Sequence, residues 1–144
     1  MVARRIKQAS YINRDKRVSL GESASDSLLD IDYPIFCFRH LHSEHDLDKC
    51  SLASYKFPQA LIKKLQQVSK MSWDDIQLSS RQGSGTEKIP VDSIRKEIPV
   101  SVTKDVSHLL VFRFCGKKGR ILGFRNRYVF HVIFIDTALS LYKH

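Results

Sequence analysis

Acidic residues are missing from one long stretch of this chain. From Val106 to Ile135 there is no Asp or Glu, although Arg113, Lys117, Lys118, Arg120, Arg125 and Arg127 all fall inside it. Long apolar runs are missing too. A membrane-spanning helix needs ~20 apolar residues, whereas the longest run, Tyr128 to Ile135, has the length of a strand and contains a histidine. We therefore expect no membrane partner. Cysteine is sparse: Cys37, Cys50 and Cys115 are odd in number and show no CxxC spacing. That excludes a disulfide framework and predicts a reducing, cytoplasmic setting. The first ten residues, MVARRIKQAS, are basic with no apolar stretch behind them, so we read no secretory signal there.

What is present fits one small domain. The chain has 144 residues, 42% of them hydrophobic, enough for a core and too many for a disordered polymer. Lys and Arg number 24 against 15 Asp and Glu, a net charge of +9, which favours partners bearing phosphate. Residues 1–33 read as a polar arm with Arg4, Arg5, Lys7, Arg14, Lys16 and Arg17 at its start. Residues 34–144 read as a single α+β domain.

The pattern along that domain predicts its elements. PIFCFRHL, Pro34 to Leu41, has the aromatic content of a strand. Phe57, Leu61, Ile62, Leu65 and Val68 recur at helical spacing, with Lys63, Lys64, Gln66 and Gln67 on the polar side. Ser72 followed by Asp74 and Asp75 predicts an N-capped second helix. Arg81 to Lys88 reads as a Gly-rich connector, and Pro90 and Pro99 bracket at most one helical turn. VSHLLVFRFC, GRILGF and RYVFHVIFI then form an antiparallel meander, with tight turns at GKKG and at Asn126. LSLYKH is expected to add a closing strand. The run from Tyr128 is apolar on both faces: Tyr128, Phe130, Val132 and Phe134 alternate with Val129, His131, Ile133 and Ile135. That predicts a central strand. The helix pair covers one face, and the N-terminal arm or a partner chain is expected on the other.

Six cations on one meander repel each other unless an anion sits among them. RNA phosphate fits, with arginine donating bidentate bonds and lysine acting as a point charge. The alternative is a solvated hairpin rim. His131 reads as a core histidine or as a general acid/base among arginines. Tyr142, Lys143 and His144 add three groups able to move or stabilise charge. His40, His42 and His45, near Glu44, Asp46 and Cys50, invite a zinc reading. They lack a second half elsewhere in the chain, so no metal and no cofactor are expected. Gly83, Gly85 and Lys88 lack the spacing of a phosphate-cradling P-loop and read as a linker.

The order of strand, helix pair and basic meander ending in tyrosine resembles the RelE/YoeB-type toxin superfamily of ribosome-dependent mRNA interferases. The likeness lies in VFRFCGKKGRILGFRNRYVFHVIFIDTALSLYKH. There an arginine strand, a turn, an apolar strand and a tyrosine-bearing end match the layout of that family's catalytic sheet. The resemblance implies a RelE-like antiparallel sheet packed on two helices. It also implies metal-independent endoribonuclease activity and an antitoxin or acidic protein partner. In such a site the substrate 2′-OH attacks the adjacent phosphate. Arg113, Arg120 and Arg125 would hold that phosphate, with Lys117, Lys118, Arg127 and Lys143 binding RNA around it. His131 and Tyr142 would serve as acid and base, assisted by His144. The arm and the Arg81–Pro99 connector are extra to the compact family core and mark a divergent member. A different expectation from the same charge is a non-catalytic nucleic-acid-binding accessory protein of a phage or mobile element. A third is a domain whose cations meet an acidic protein.

Overall fold

The computed structural model describes residues 31–45, 56–116 and 118–144. The N-terminal arm, most of the charged loop after the first strand, and Lys117 lie outside these. Residues Tyr33–His144 form one compact unit. In chain order the elements are β1 (Ile35–Cys37), α1 (Lys56–Ser69), α2 (Trp73–Leu78), β2 (Glu87–Pro90), a 3-10 turn (Val91–Ser93), β3 (His108–Phe114), β4 (Gly119–Asn126) and β5 (Val129–Asp136). They make a five-stranded sheet in the order β1-β5-β4-β3-β2. The α+β class therefore holds, but the sheet is mixed rather than antiparallel. β1 lies parallel to β5 because the connection between them passes through both helices and the other strands.

α1 forms where the 3.6-residue repeat predicts it. Leu61 and Val68 are buried, with Phe57, Ala60 and Leu65 packed beside them. Ile62 departs from the expected stripe and is 63% exposed. Ser72 caps α2 as its sequence requires: its Oγ accepts from the Asp75 backbone N–H at 3.0 Å. Trp73 and Ile76 then enter the core. Together the helices cover one face of the sheet, against Phe112, Phe114, Ile121, Phe130, Val132 and Ile135. Phe130 is its aromatic centre, 5.1 Å from Phe112 and 5.8 Å from Phe36 between ring centroids. Each such edge-on pair adds about 0.5–1.5 kcal/mol beyond burial.

The second face is covered by the chain's own connector and C-terminus, where sequence reasoning looked to the arm or a partner. Val91, Ile94, Ile98, Val102 and Val106 lie with Leu141 and Tyr142 over Leu109, Val111, Leu122, Ile133 and Phe134. LSLYKH is not a strand. The Asp136 carboxylate accepts from the backbone N–H groups of Ala138 (3.0 Å), Ser140 (3.0 Å) and Leu141 (3.2 Å), which turns the chain back over the sheet. The Arg95 N–H donates to the Leu141 carbonyl at 2.7 Å and ties this tail to the connector.

β5 also breaks its expected alternation. Leu122 pairs with Phe134 and Gly123 with Val132, so Ile133 is the extra residue of a bulge. Ile133 and Phe134 consequently share the second face, while Ile135 turns to the helices. The bulge requires glycine opposite it: a Cβ on Gly123 would stand 2.1 Å from the His131 carbonyl oxygen. β1 ends beside this irregularity. The strand expected to reach Leu41 stops at Cys37, and the chain regains β5 through the His42 N–H on the Ile133 carbonyl, 2.7 Å. At the β4–β5 turn the positive φ falls on Arg127 (57°) and not on Asn126, which closes the β4 ladder opposite Val129. No helix among the described residues is long and apolar enough to cross a membrane.

Candidate nucleic-acid interface

The cations of the meander divide between its two ends. Arg120 and Arg125 lie five residues apart on β4, about 16 Å at ~3.3 Å per residue. They also face opposite sides of the sheet, since Arg120 pairs with Asp136 on the tail-covered face while Arg125 stacks on Trp73 of the helix face.

At the β3–β4 turn, Arg113 and Arg120 are direct cross-strand partners. Like charges placed so repel, and the fold answers from outside the acid-free stretch. Glu87, at the head of β2, reaches Arg113 Nη2 at 3.4 Å and Arg81 Nη1 at 3.1 Å. Asp136 stands opposite Arg120 in the ladder, and both are buried. Tyr142 joins them from the C-terminal tail, 4% exposed, with a buried hydroxyl that finds no hydrogen-bond partner. Burial raises its phenol above the ordinary value, and the adjacent Arg120 pulls the other way. The His144 ring lies 4.3 Å from the Tyr142 ring, and Lys143 is exposed.

Beside this row a cleft of ≈ 390 Å³ opens between α1, the Gly-rich loop and the β3–β4 turn. Lys63, Lys64, Gln67, Gln82, Gly83, Arg113, Cys115 and Gly116 are among its walls, and no lining residue is acidic. Lys118, exposed, stands in the turn that forms one wall. The loop is a fixed wall. Gly83 and Gly85 both donate to the Ser80 carbonyl at 2.9 Å, and a Cβ on Gly85 would come within 2.1 Å of the Ser79 carbonyl oxygen. α1 ties it from the other side: Lys64 Nζ donates to the Gly83 carbonyl at 2.8 Å and Gln67 Nε2 to Ser84 Oγ at 2.7 Å. Half-burial pushes the Lys64 ammonium below its ordinary value. It carries a charge into the cleft with a carbonyl, not a carboxylate, as its partner.

The other end is arranged differently. Arg125 lies over the Trp73 ring, 4.5 Å from its centroid, and its Nε donates to the Arg127 carbonyl. Trp73 Nε1 in turn donates to the Tyr128 carbonyl at 3.0 Å. A second cleft of ≈ 460 Å³ lies here, where Lys88, His108 and Arg125 are mixed with Asp105.

His131 belongs to neither cluster. It stacks on Phe124 at 4.9 Å on the tail-covered face, with His40 at 5.8 Å. Burial, then His40, lowers its pKa from the ordinary 6.5. Its strand position opposite Phe124 is four residues from Arg120, about 13 Å, so His131 and Tyr142 do not converge on one reacting atom. His42 and His45 line the same face against Phe134, at 5.2 and 5.7 Å. His40 shares a 3.0 Å hydrogen bond with Ser101, and Glu44 pairs with Lys96 at 2.9 Å. Among the described residues no group of three or more His, Cys, Asp or Glu is placed to hold a metal ion. Asp46 and Cys50 lie outside the described residues.

Of the site residues expected from sequence, the structure thus gathers Arg113, Arg120, Tyr142 and His144 at one end, with Lys118 in the adjoining turn. Arg125 and Arg127 stand at the other end, and His131 lies between. Lys63 and Lys64 were read as an ordinary polar helix side. Their signal is that α1, KFPQALIKKLQQVS, holds no acidic residue that would pair with them at helical spacing. No protein-family model, curated protein or solved structure matches the chain.

Proposed function

We propose that the chain binds RNA through its phosphates at the cleft between α1 and the β3–β4 turn. The observation that carries this reading is the convergence of Lys63, Lys64 and Arg113 on a cleft with no acidic lining residue. Three like charges around one hollow are tolerated most cheaply when a polyanion lies among them, and the chain's net charge of +9 steers such a ligand inward. The contacts available are to phosphate, so recognition is of backbone and not of sequence. Titrating labelled single-stranded RNA at 50 and 200 mM salt tests it. Affinity should fall by roughly tenfold or more across that range, as counterion release by several phosphate contacts requires. Binding that ignores salt, or no binding at the lower concentration, removes the proposal.

A second reading, cleavage of the bound RNA as in the interferases, is favoured by one observation. Arg113, Arg120 and Tyr142 share one end of the sheet beside the cleft, and the tyrosine hydroxyl is unpartnered. On this reading the arginines stabilise charge on the phosphate and Tyr142 handles a proton. Incubation with mRNA, with and without ribosomes and EDTA, should give products that Tyr142→Phe abolishes. Intact RNA under every condition leaves binding as the function.

A further inference from the structure

Glu87 is the one carboxylate held against the cationic end by ion pairs. Its two oxygens go to different guanidiniums, Oε1 to Arg81 at 3.1 Å and Oε2 to Arg113 at 3.4 Å. Charge-assisted bonds of this kind are usually about 2.7–2.9 Å, so both pairs are loose and neither is bidentate. Arg113 keeps spare donors; its Nε is buried without a hydrogen-bond partner. Arg113 lines the cleft, and Arg81 directly precedes the Gln82–Gly83 wall. Glu87 is only 20% exposed and Arg81 56%, so the carboxylate sits inside while one of its partners is free to swing outward. A phosphodiester offers the same pair of anionic oxygens to a guanidinium that a carboxylate does. Glu87 therefore occupies on Arg113 the place a phosphate would take.

Resting on the reading of the cleft as an RNA site, we propose that Glu87 is its selectivity residue. It acts as an internal anion that competes with phosphate for Arg81 and Arg113. A single phosphate cannot displace it, because the charge it brings to the arginines is offset by its repulsion from Glu87. A strand that engages Lys63 and Lys64 at the same time can. The site thereby takes chains of phosphates and refuses mononucleotides and inorganic phosphate.

The test compares the wild-type protein, Glu87→Gln, Glu87→Asp and Lys63→Gln/Lys64→Gln, each against an oligoribonucleotide and against inorganic phosphate. Glu87→Gln should bind the oligoribonucleotide roughly 3–10-fold more tightly. Its salt slope should steepen by about one phosphate contact, and it should acquire phosphate binding that the wild type lacks. Glu87→Asp, which keeps the charge, should behave as wild type. Unchanged or weaker RNA binding by folded Glu87→Gln overturns the inference while leaving the cleft intact. RNA binding insensitive to the double lysine change overturns both. If Glu87→Gln does not fold, the wild-type Glu87 carboxylate carbon resonance is followed by NMR. It should move when RNA saturates the protein, and an unmoved resonance refutes the competition.

Discussion

At the β3–β4 turn, Lys63, Lys64 and Arg113 look into a cleft with no acidic lining. At the β4–β5 turn, Arg125 lies flat on Trp73 and its cleft mixes Asp105 with Lys88 and His108. Both ends are cationic in sequence, and only the first leaves its charge directed at open space. The difference shows that a count of cations does not locate an anion site. What matters is whether the fold has already given each cation a partner. Arg120 faces Asp136, Arg113 leans on Glu87 and Arg125 uses an aromatic ring, so half of the six cations in the acid-free stretch meet such a group. The two lysines of α1 lie outside that stretch, and Lys64 has only a carbonyl at hydrogen-bonding distance.

The largest effect that would break this comparison comes from Lys63→Gln/Lys64→Gln. Glutamine at position 64 retains an N–H donor toward the Gly83 carbonyl, so the loop keeps its tie while the charges go. RNA affinity should drop on the order of 10–100-fold near 0.1 M salt, and the salt slope should fall by about one per lysine. An electrophoretic or anisotropy titration reads both. A variant that binds as wild type places the interface elsewhere and ends the distinction between the two turns.

Next in size is a pH effect that should separate folding from binding. His131 and His45 both titrate below the ordinary 6.5, chiefly because burial disfavours the imidazolium. His40 adds to this at His131, while Asp136 partly opposes it at His45. The unfolded chain then takes up protons that the folded chain refuses. Their contribution to stability is complete above about pH 6.5 and is lost as pH falls through that value, levelling off below the folded pKa values. Melting temperature should therefore decline from pH 7.5 to 5, and His131→Gln should make the decline shallower. No histidine lines the α1 cleft, so RNA affinity of the folded protein should stay flat between pH 6.5 and 8. A melting temperature indifferent to pH would remove the histidines from the packing of the second face.

Much of the fold was legible because its causes are local. The Ser72 cap, the α1 stripe and the three meander strands each follow from a few neighbouring residues. β2 was not legible: four residues containing Pro90 hold no periodicity, and they become a strand only because β3 offers an edge. The β5 bulge was hidden for a related reason. Alternation in Tyr128 to Ile135 looks regular until Gly123 is set opposite His131. The site suffered most, since every correction to it spans the chain. Glu87 compensates Arg113 from 26 residues away, and the lysines of α1 meet the Gly-rich loop 19 residues on. Separation of that kind leaves no trace in spacing, whereas the absence of acid from both α1 and the meander was visible and understated.

The smallest effect sharpens the comparison from the quieter end. Arg125→Ala/Arg127→Ala removes two cations from the same strand-rich segment and should change RNA affinity less than about threefold, through loss of long-range attraction alone. Its cost should appear in stability. Losing the guanidinium from the Trp73 face costs about 0.5–1 kcal/mol at an exposed site, a fall of a few degrees in melting temperature for a domain of this size. Trp73 fluorescence should shift as its ring is uncovered. An affinity loss as large as that from the α1 lysines would mean that RNA reaches both ends, which requires a strand crossing from one sheet face to the other over about 16 Å. The stacked geometry of Arg125, with its Nε given to the Arg127 carbonyl, argues against that path, because a phosphate there would have to displace both the ring and the carbonyl.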